Sequence, residues 1–441
     1  MGVDVSLLIR NCSWIVTQDP SRTVMRDASV YVEDGRITHT GRETPRTADR
    51  ILDGEGMILL PGLINTHTHV PMVIFRGYAD DMPLQEWLSN KIWKLEPNMT
   101  SEECYWAAML GCLEMITSGT TTFNDMYFFV ENVARAVQDA GLRAVLSSVI
   151  IEMAPDPKLH KENADKVLQF LSGLRNPLLT AAIAPHAPYS CSEETLLWAK
   201  ERADKKHLLV HTHIAETKTE QADIENKRKM KVVEYLDEIG FLGPNVIGAH
   251  CVWLTRKEVG LLGESGTRAA HCPVSNMKLA VGGVAPLQEM LQSHVCVGLG
   301  TDGAASNNTL SMFETMKFCA LLHKHTRSDA TVLPAQMALD LATIGGARAL
   351  GMEDKIGSIE AGKRADMILV DTRSPNMTPI HGRETIISDL VYSAGGANVD
   401  TTIVDGNVLM ENRKLTVLDP GKIRNEINKA TEDLLTRSAH A

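Results

Sequence analysis

Through the middle of the chain, short apolar runs alternate with stretches of helical composition. The runs are ILLPGLIN (58–65), TTTFNDM (120–126), RAVLSSVI (143–150), LLTAAIAP (178–185), HLLVHTHI (207–214), NVIGAHC (245–251), TRAAHCP (267–273) and HVCVGLGTD (294–302). Between them lie segments such as SEECYWAAMLGCLEMITSG, SEETLLWAKERADKK and MKVVEYLDEIGFLG. Thr100 with Glu103, and Ser190 with Glu193, fit capping boxes ahead of the first two. Strands alternating with helices predict parallel βαβ units, and eight of them fit a (β/α)8 TIM-like barrel better than an open sheet. The chain ends differ. Residues 1–57 and the stretch after about 356 alternate in short runs punctuated by Gly and Asp, a pattern of antiparallel strands and tight turns. Neither end has strands enough for a sound core of its own. The expected organisation is α/β. A small β-sandwich domain is made by residues 1–57 together with 356–441, the latter also carrying a C-terminal helix, and the barrel spans 58–355.

Chemistry sits where the barrel strands end, which is where such folds carry their sites. The first strand ends in GLINTHTHVP, and side chains at i and i+2 of a strand share a face. His67 and His69 therefore project together. The fourth run leads to His186, the fifth to His211, His213 and Glu216, the sixth to His250, the seventh to His271 and the eighth to Asp302. Any one of these is ordinary as a hydrogen-bonded core histidine. Their common placement points to one mouth. Imidazole and carboxylate donors suit zinc, iron or manganese, and such an ion brings the pKa of a bound water down towards ~7. Alternation does not choose between His211 and His213, which share a face; His213 is nearer the strand end.

Charge and cysteine content narrow the partners. With 44 basic and 55 acidic residues the net charge is −11. No basic patch offsets it, since KRKMK (227–231) reads as a solvated helix face, so nucleic acid is not an expected partner. Eight cysteines occur without a C-x-x-C pair, mostly in apolar runs. A reducing, cytoplasmic location without disulfides is expected. The N-terminus lacks a signal-peptide pattern, and no apolar run reaches the ~20 residues that span a bilayer.

The motifs PGLINTHTH, WLSNKIWKLEP, APHAPYSCS, HTHIAET, GAHCVWLT, HCPVSNMKLA and GLGTDGAASNN resemble the amidohydrolase superfamily. Within it they resemble the methylthioadenosine/S-adenosylhomocysteine deaminase family, over nearly the whole chain. The resemblance implies that His67, His69, His213 and Asp302 are metal ligands. It implies that Glu216, in H-x-x-E spacing with His213, shuttles protons to the purine, and that His250 orients the attacking water. Glu96 in KLEP then binds ribose hydroxyls and His186 contacts substrate. No lysine stands where binuclear relatives carry a carbamylated bridge, so one divalent metal per subunit is expected: zinc first, with iron or manganese as alternatives. The implied reaction is attack of a metal-activated water on C6 of an adenosine-type nucleoside, with release of ammonia. Asp302 takes the water's proton and Glu216 protonates N1.

Relatives that accept S-adenosylhomocysteine use arginines after the third strand. Here that region reads LSSVIIEMAPDPKLHKEN, with Lys158 and Lys161 but no arginine. The favoured substrates are therefore neutral, 5′-methylthioadenosine, 5′-deoxyadenosine or adenosine, with Met72, Met82 and Met153 as candidates for an apolar 5′ pocket; S-adenosylhomocysteine is a further candidate if Lys158 or Lys161 substitutes for the arginines. The alternative is a same-fold hydrolase acting on an s-triazine, guanine or a pterin; Glu96 argues for a ribose-bearing ligand. A scaffold that has lost the chemistry is disfavoured, because every expected ligand is present. Family resemblance also implies a homo-oligomer, with Ile74, Phe75 and Arg76 read as an exposed contact loop.

Overall fold

The computed structural model describes residues 6–42, 45, 47–82, 84–152, 156 and 159–439. The chain opens with β1 (Ser6–Val16), β2 (Val24–Glu33), β3 (Arg36–Gly41), β4 (Arg50–Asp53) and β5 (Met57–Pro61). Eight parallel strands follow: β6 (Leu63–Thr68), β7 (Thr120–Tyr127), β8 (Arg143–Ile150), β9 (Leu179–Pro185), β10 (Leu209–Ile214), β11 (Val246–His250), β12 (Arg268–His271) and β13 (Val297–Leu299). The chain then adds β14 (Met367–Asp371), β15 (Val399–Val404), β16 (Asn407–Glu411) and β17 (Lys414–Leu415), and closes with the helix Pro420–Ala439. Among the described residues no helix is long and apolar enough to cross a membrane.

The eight central strands pair in chain order from β6 to β13 and form a nearly closed barrel. β6, β7, β8 and β11 are buried at every position, as expected where helices cover a parallel sheet. The seam between first and last strand is closed by hydrogen bonds. The Asp302 N–H donates to the His67 carbonyl at 3.0 Å, Thr66 Oγ1 to the Leu299 carbonyl at 2.9 Å, and Asn65 Nδ2 to Thr301 Oγ1 at 2.7 Å. Gly300 permits this approach, since a Cβ there would lie 2.9 Å from both Cβ and O of His67.

The chain-terminal strands make one nine-stranded mixed sheet, ordered β17-β16-β15-β14-β5-β1-β2-β3 with β4 also on β1. β5 and β14 pair antiparallel and join the two ends of the chain. The expected antiparallel pattern is not uniform: β1 runs parallel to β4 and β5. The run 58–65, read as a single strand, divides at Gly62 into β5 of the mixed sheet and β6 of the barrel. The Thr121 side chain packs directly on this glycine, and a Cβ there would fall 2.1 Å from Thr121 Oγ1. At the same junction the Arg143 guanidinium is buried against Asp366, with Nε donating to Oδ2 at 2.7 Å and Nη2 to Oδ1 at 3.0 Å. Asp405 Oδ1 stands 3.3 Å from the same Nη2.

Two local expectations are corrected. Thr100 and Glu103 form the capping box of helix Ser101–Ser118. The cap of helix Glu193–Lys206 is Ser192, whose hydroxyl accepts from the Thr195 N–H. Ser190 is instead engaged with His186. Ile74 and Phe75 are not an exposed loop: they are buried in the 3-10 turn Val70–Phe75, packed on the barrel helices, while Arg76 alone is exposed.

Candidate active site

The strand ends deliver their polar side chains to one pocket. His69, Glu96, His186, His213, Glu216, His250 and Asp302 line it, with Trp87, Trp93, Tyr127, Phe128 and several aliphatic residues as its apolar wall. His67 is fully buried beside them, its ring centroid 4.9 Å from that of His69 and 5.0 Å from that of His213. One ring nitrogen from each of His67, His69 and His213 lies within 4.8 Å of the others, and so do one nitrogen each of His67 and His250 and a carboxylate oxygen of Asp302.

Hydrogen bonds at the outer ring nitrogens fix which way these imidazoles face. His69 Nδ1 donates to the Met126 carbonyl at 2.7 Å, and His213 Nδ1 donates to the His186 carbonyl at 2.7 Å. A carbonyl can only accept, so each Nδ1 carries the hydrogen and each Nε2 turns inward. His67 is braced the same way by His211, Nδ1 to Nε2 at 2.7 Å. That contact puts His211 behind His67 and leaves His213 as the fifth-strand residue facing His69.

The inward atoms match a divalent cation. His67 Nε2 is buried without a hydrogen-bond partner, although Asp302 Oδ1 faces it at 3.4 Å. His69 Nε2 and His213 Nε2 face each other at 3.4 Å. Burial brings His67 down to about 4 and holds His213 well below the usual imidazole range. For His69 burial acts in the same direction but is outweighed by Asp302, 3.3 Å away, so that it is pushed up to about 9. Lone pairs converging beside a carboxylate call for positive charge at their common point, and the donor set is the nitrogen-and-oxygen mixture that zinc, iron and manganese accept.

Asp302 is held on every side. Its Oδ2 accepts from Ser275 Oγ at 2.6 Å and Ser306 Oγ at 2.7 Å, and its Oδ1 from the Gly303 N–H at 2.8 Å. The backbone is left-handed at Asp302 (φ 62°), at His250 (φ 72°) and at Ala215 (φ 51°). Non-glycine residues adopt this conformation only where surrounding contacts hold them there. His250 Nδ1 donates to Asn276 Oδ1 at 2.8 Å, which leaves Nε2 3.9 Å from Glu216 Oε1. Burial raises the pKa of Glu216, so its carboxyl keeps a proton to higher pH than an exposed glutamate. Glu96, also raised by burial, accepts a 2.7 Å hydrogen bond from Tyr127 Oη. His186 Nδ1 stands 2.9 Å from Ser190 Oγ.

The amidohydrolase family profile matches residues 58–409. This chain belongs to the amidohydrolase family. Members use a divalent metal, in keeping with the donor cluster. The amidohydrolase is 44% identical over 433 residues to a 5′-deoxyadenosine deaminase of Methanosarcina mazei, covering 98% of this chain and 99% of that one. It is 44% identical over 408 residues to a 5-methylthioadenosine/S-adenosylhomocysteine deaminase of Thermococcus sibiricus, covering 92% and 94%. Its fold superimposes with a TM-score of 0.93 on the crystal structure of an adenosine deaminase from Xanthomonas campestris with bound zinc, at 34% identity over 98% of each chain. The amidohydrolase is thus a hydrolytic deaminase.

Some members of the site escaped the sequence reading. Ser275 and Asn276 lie in HCPVSNMKLA and Ser306 in GLGTDGAASNN, but nothing in those motifs marks small polar side chains as partners of Asp302 and His250. Tyr127 sits one residue beyond the run TTTFNDM. His271, at a strand end like the others, is not in the pocket wall; its Nε2 pairs with His323 Nε2 at 3.1 Å. Of the methionines expected at the 5′ end, Met72 lines the pocket and Met82 packs on the core. Met153 and Lys158 lie outside the described residues.

Proposed function

We propose that this amidohydrolase removes the C6 amino group of adenosine-type nucleosides with small, neutral 5′ ends, foremost 5′-deoxyadenosine and 5′-methylthioadenosine. The observation that carries the reading is one pocket with an imidazole cluster and Asp302 at its floor, a buried Glu216 beside it, and Glu96 among aromatic side chains. His67, His69, His213 and Asp302 would hold the ion. Zinc is the proposed ion, supported by the zinc in the Xanthomonas campestris neighbour. A bound divalent ion there acidifies water and makes a nucleophile available at neutral pH.

The chain's own residues carry the remaining steps. Asp302 receives the proton of the attacking water, its carboxylate aimed by Ser275, Ser306 and the Gly303 N–H. Glu216 donates a proton to N1 as the C6–O bond forms, so negative charge does not build on the ring. His250, fixed by Asn276, faces the tetrahedral carbon's oxygen. The proton held by Asp302 passes to the amine, the C6–N bond breaks and ammonia leaves, and the C6 hydroxyl returns its proton to Glu216 to give the inosine-type product. Glu96 accepts from the ribose hydroxyls and His186 contacts the ring. Among the described residues no lysine or arginine lines the pocket, and its acidic groups are Glu96, Glu216 and Asp302. A substrate whose 5′ chain ends in a carboxylate, such as S-adenosylhomocysteine, is accordingly disfavoured. The Glu96–Tyr127 pair favours a riboside over a bare s-triazine, guanine or pterin.

The working protein is proposed to be a cytoplasmic homo-oligomer. Support comes from its eight unpaired cysteines and from exposed Phe318 and Leu321 on helix Met312–Arg327, next to exposed Met337 on the neighbouring helix. The test is ammonia release from a panel of 5′-deoxyadenosine, 5′-methylthioadenosine, adenosine, S-adenosylhomocysteine, guanine and melamine. The first two should be turned over fastest, and Glu216→Gln should abolish turnover while retaining metal. Faster release from guanine or melamine would overturn the assignment.

A further inference from the structure

We infer that Glu220 is a positioning residue for the proton donor, holding the turn that aims Glu216 into the pocket. This rests on the role proposed above for Glu216. β10 pairs with β11 as far as Ile214, opposite His250, and the chain then turns away. The next two backbone N–H groups, of Ala215 and Glu216, have left the strand ladder and lie buried, where an unpaired donor is costly. One side chain receives both. Glu220 Oε1 accepts from the Ala215 N–H at 3.0 Å and Oε2 from the Glu216 N–H at 2.8 Å. On the other side the Ala215 carbonyl accepts from the N–H groups of Val252, at 3.1 Å, and Trp253, at 2.8 Å. The left-handed Ala215 is thereby clamped between a carboxylate and the loop after β11.

Helix capping does not account for this arrangement. Thr217 is the cap of helix Lys218–Arg228, and its hydroxyl accepts from the Glu220 N–H. In a capping box the carboxylate at the third helical position returns to the N–H of the cap residue itself. Here it reaches past Thr217 to the two residues before it, and so ties down the strand end rather than the helix. Glu220 is only 4% exposed, and burial raises it to about 7 against the pull of its two backbone donors. A buried carboxylate is a costly way to fill space. Its two oxygens can accept from both N–H groups at once, whereas an amide would set its own N–H against one of them.

The test compares Glu220→Gln and Glu216→Gln in the full-length, metal-loaded enzyme, with 5′-deoxyadenosine and with the analogue bearing chlorine in place of the C6 amine. An amine donates electron density into the ring and chlorine withdraws it, so C6 of the analogue is the more electrophilic and its attack depends less on protonation of N1. For Glu220→Gln, kcat on 5′-deoxyadenosine should fall by roughly 10- to 100-fold, with KM within about threefold of the wild type and metal content unchanged. The loss on the chloro analogue should be smaller, the direction also expected of Glu216→Gln; a general loosening of the fold would lower both rates alike. If Glu216→Gln stays active, the proton-donor reading itself falls. If Glu216→Gln is inactive but Glu220→Gln matches the wild type, or loses both substrates equally, or loses its metal or fold, this inference alone is overturned.

Discussion

His69 and His213 point their Nε2 atoms at each other across 3.4 Å, each with Nδ1 committed to a backbone carbonyl. A cation between them would take a lone pair from each, displacing the proton that Asp302 otherwise stabilises on His69. Elemental analysis should find about one divalent ion per chain. Chelation should abolish activity, and readdition of zinc should restore it. Either His69→Ala or His213→Ala should lose the ion; full occupancy in both variants would contradict the ligand set.

His211 braces His67 from behind without facing the pocket. Outer partners of metal-bound imidazoles tune affinity, so His211→Asn should weaken metal binding by about 10- to 100-fold and leave KM for the nucleoside near wild type in excess zinc. A competition titration against a chromophoric chelator measures it.

The proposed ligands on the first and last barrel strands are legible because strand geometry converts a two-residue spacing into a shared face, and because His67, His69 and Asp302 sit where apolar runs stop. The supports of those ligands were not legible. Ser275 and Ser306 are 27 and 4 residues from Asp302, and both hydroxyls reach it only through the folding of the helices that carry them. Glu220 reads as an ordinary helix-start glutamate until the fold turns it back on Ala215 and Glu216. The switch of sheets at Gly62 was hidden for another reason: both halves of ILLPGLIN are equally apolar, so hydropathy carries no mark of the change. Ile74 and Phe75 were misplaced because a buried 3-10 turn and an exposed loop have the same local look.

Tyr127 Oη donates a part-buried hydrogen bond to Glu96 Oε1 at 2.7 Å. Removing the hydroxyl frees the carboxylate that is proposed to read the ribose. A hydrogen bond to a charged group is worth about 1.5 kcal/mol, roughly a factor of ten. Tyr127→Phe should therefore raise KM for 5′-deoxyadenosine about tenfold with kcat little changed. Steady-state kinetics with the 2′,3′-dideoxy analogue, which lacks the hydroxyls, should show no such rise.

Burial raises Glu216, with Asp302 adding to it and His250 and His69 opposing. The donor is the protonated form, present below the raised pKa and lost as pH climbs through it. kcat/KM should thus fall on the alkaline side, read from a profile between about pH 5 and about pH 10. A profile flat through the alkaline range would remove Glu216 as the donor in the free enzyme.

Arg143 sits at the base of the barrel with Asp366 and Asp405, from the other sheet, as its partners. Arg143→Met would strand the deeply buried Asp366, while Asp405 keeps its ion pair with Arg364. The expected cost is about 3–5 kcal/mol of stability, seen as a lower urea midpoint, with kcat of the folded fraction unchanged. An unaltered midpoint would mean that water reaches Asp366.

The proposed ligands come from both sides of the seam: His67 and His69 belong to the strand that opens the cylinder, Asp302 to the turn that completes it. A ribosome must therefore synthesise more than two-thirds of the polypeptide before the full coordination sphere can exist, and any fragment ending short of residue 302 would bind the ion with histidines alone. Coordination by all four donors, and not binding by histidines alone, would accordingly report that the ring has shut.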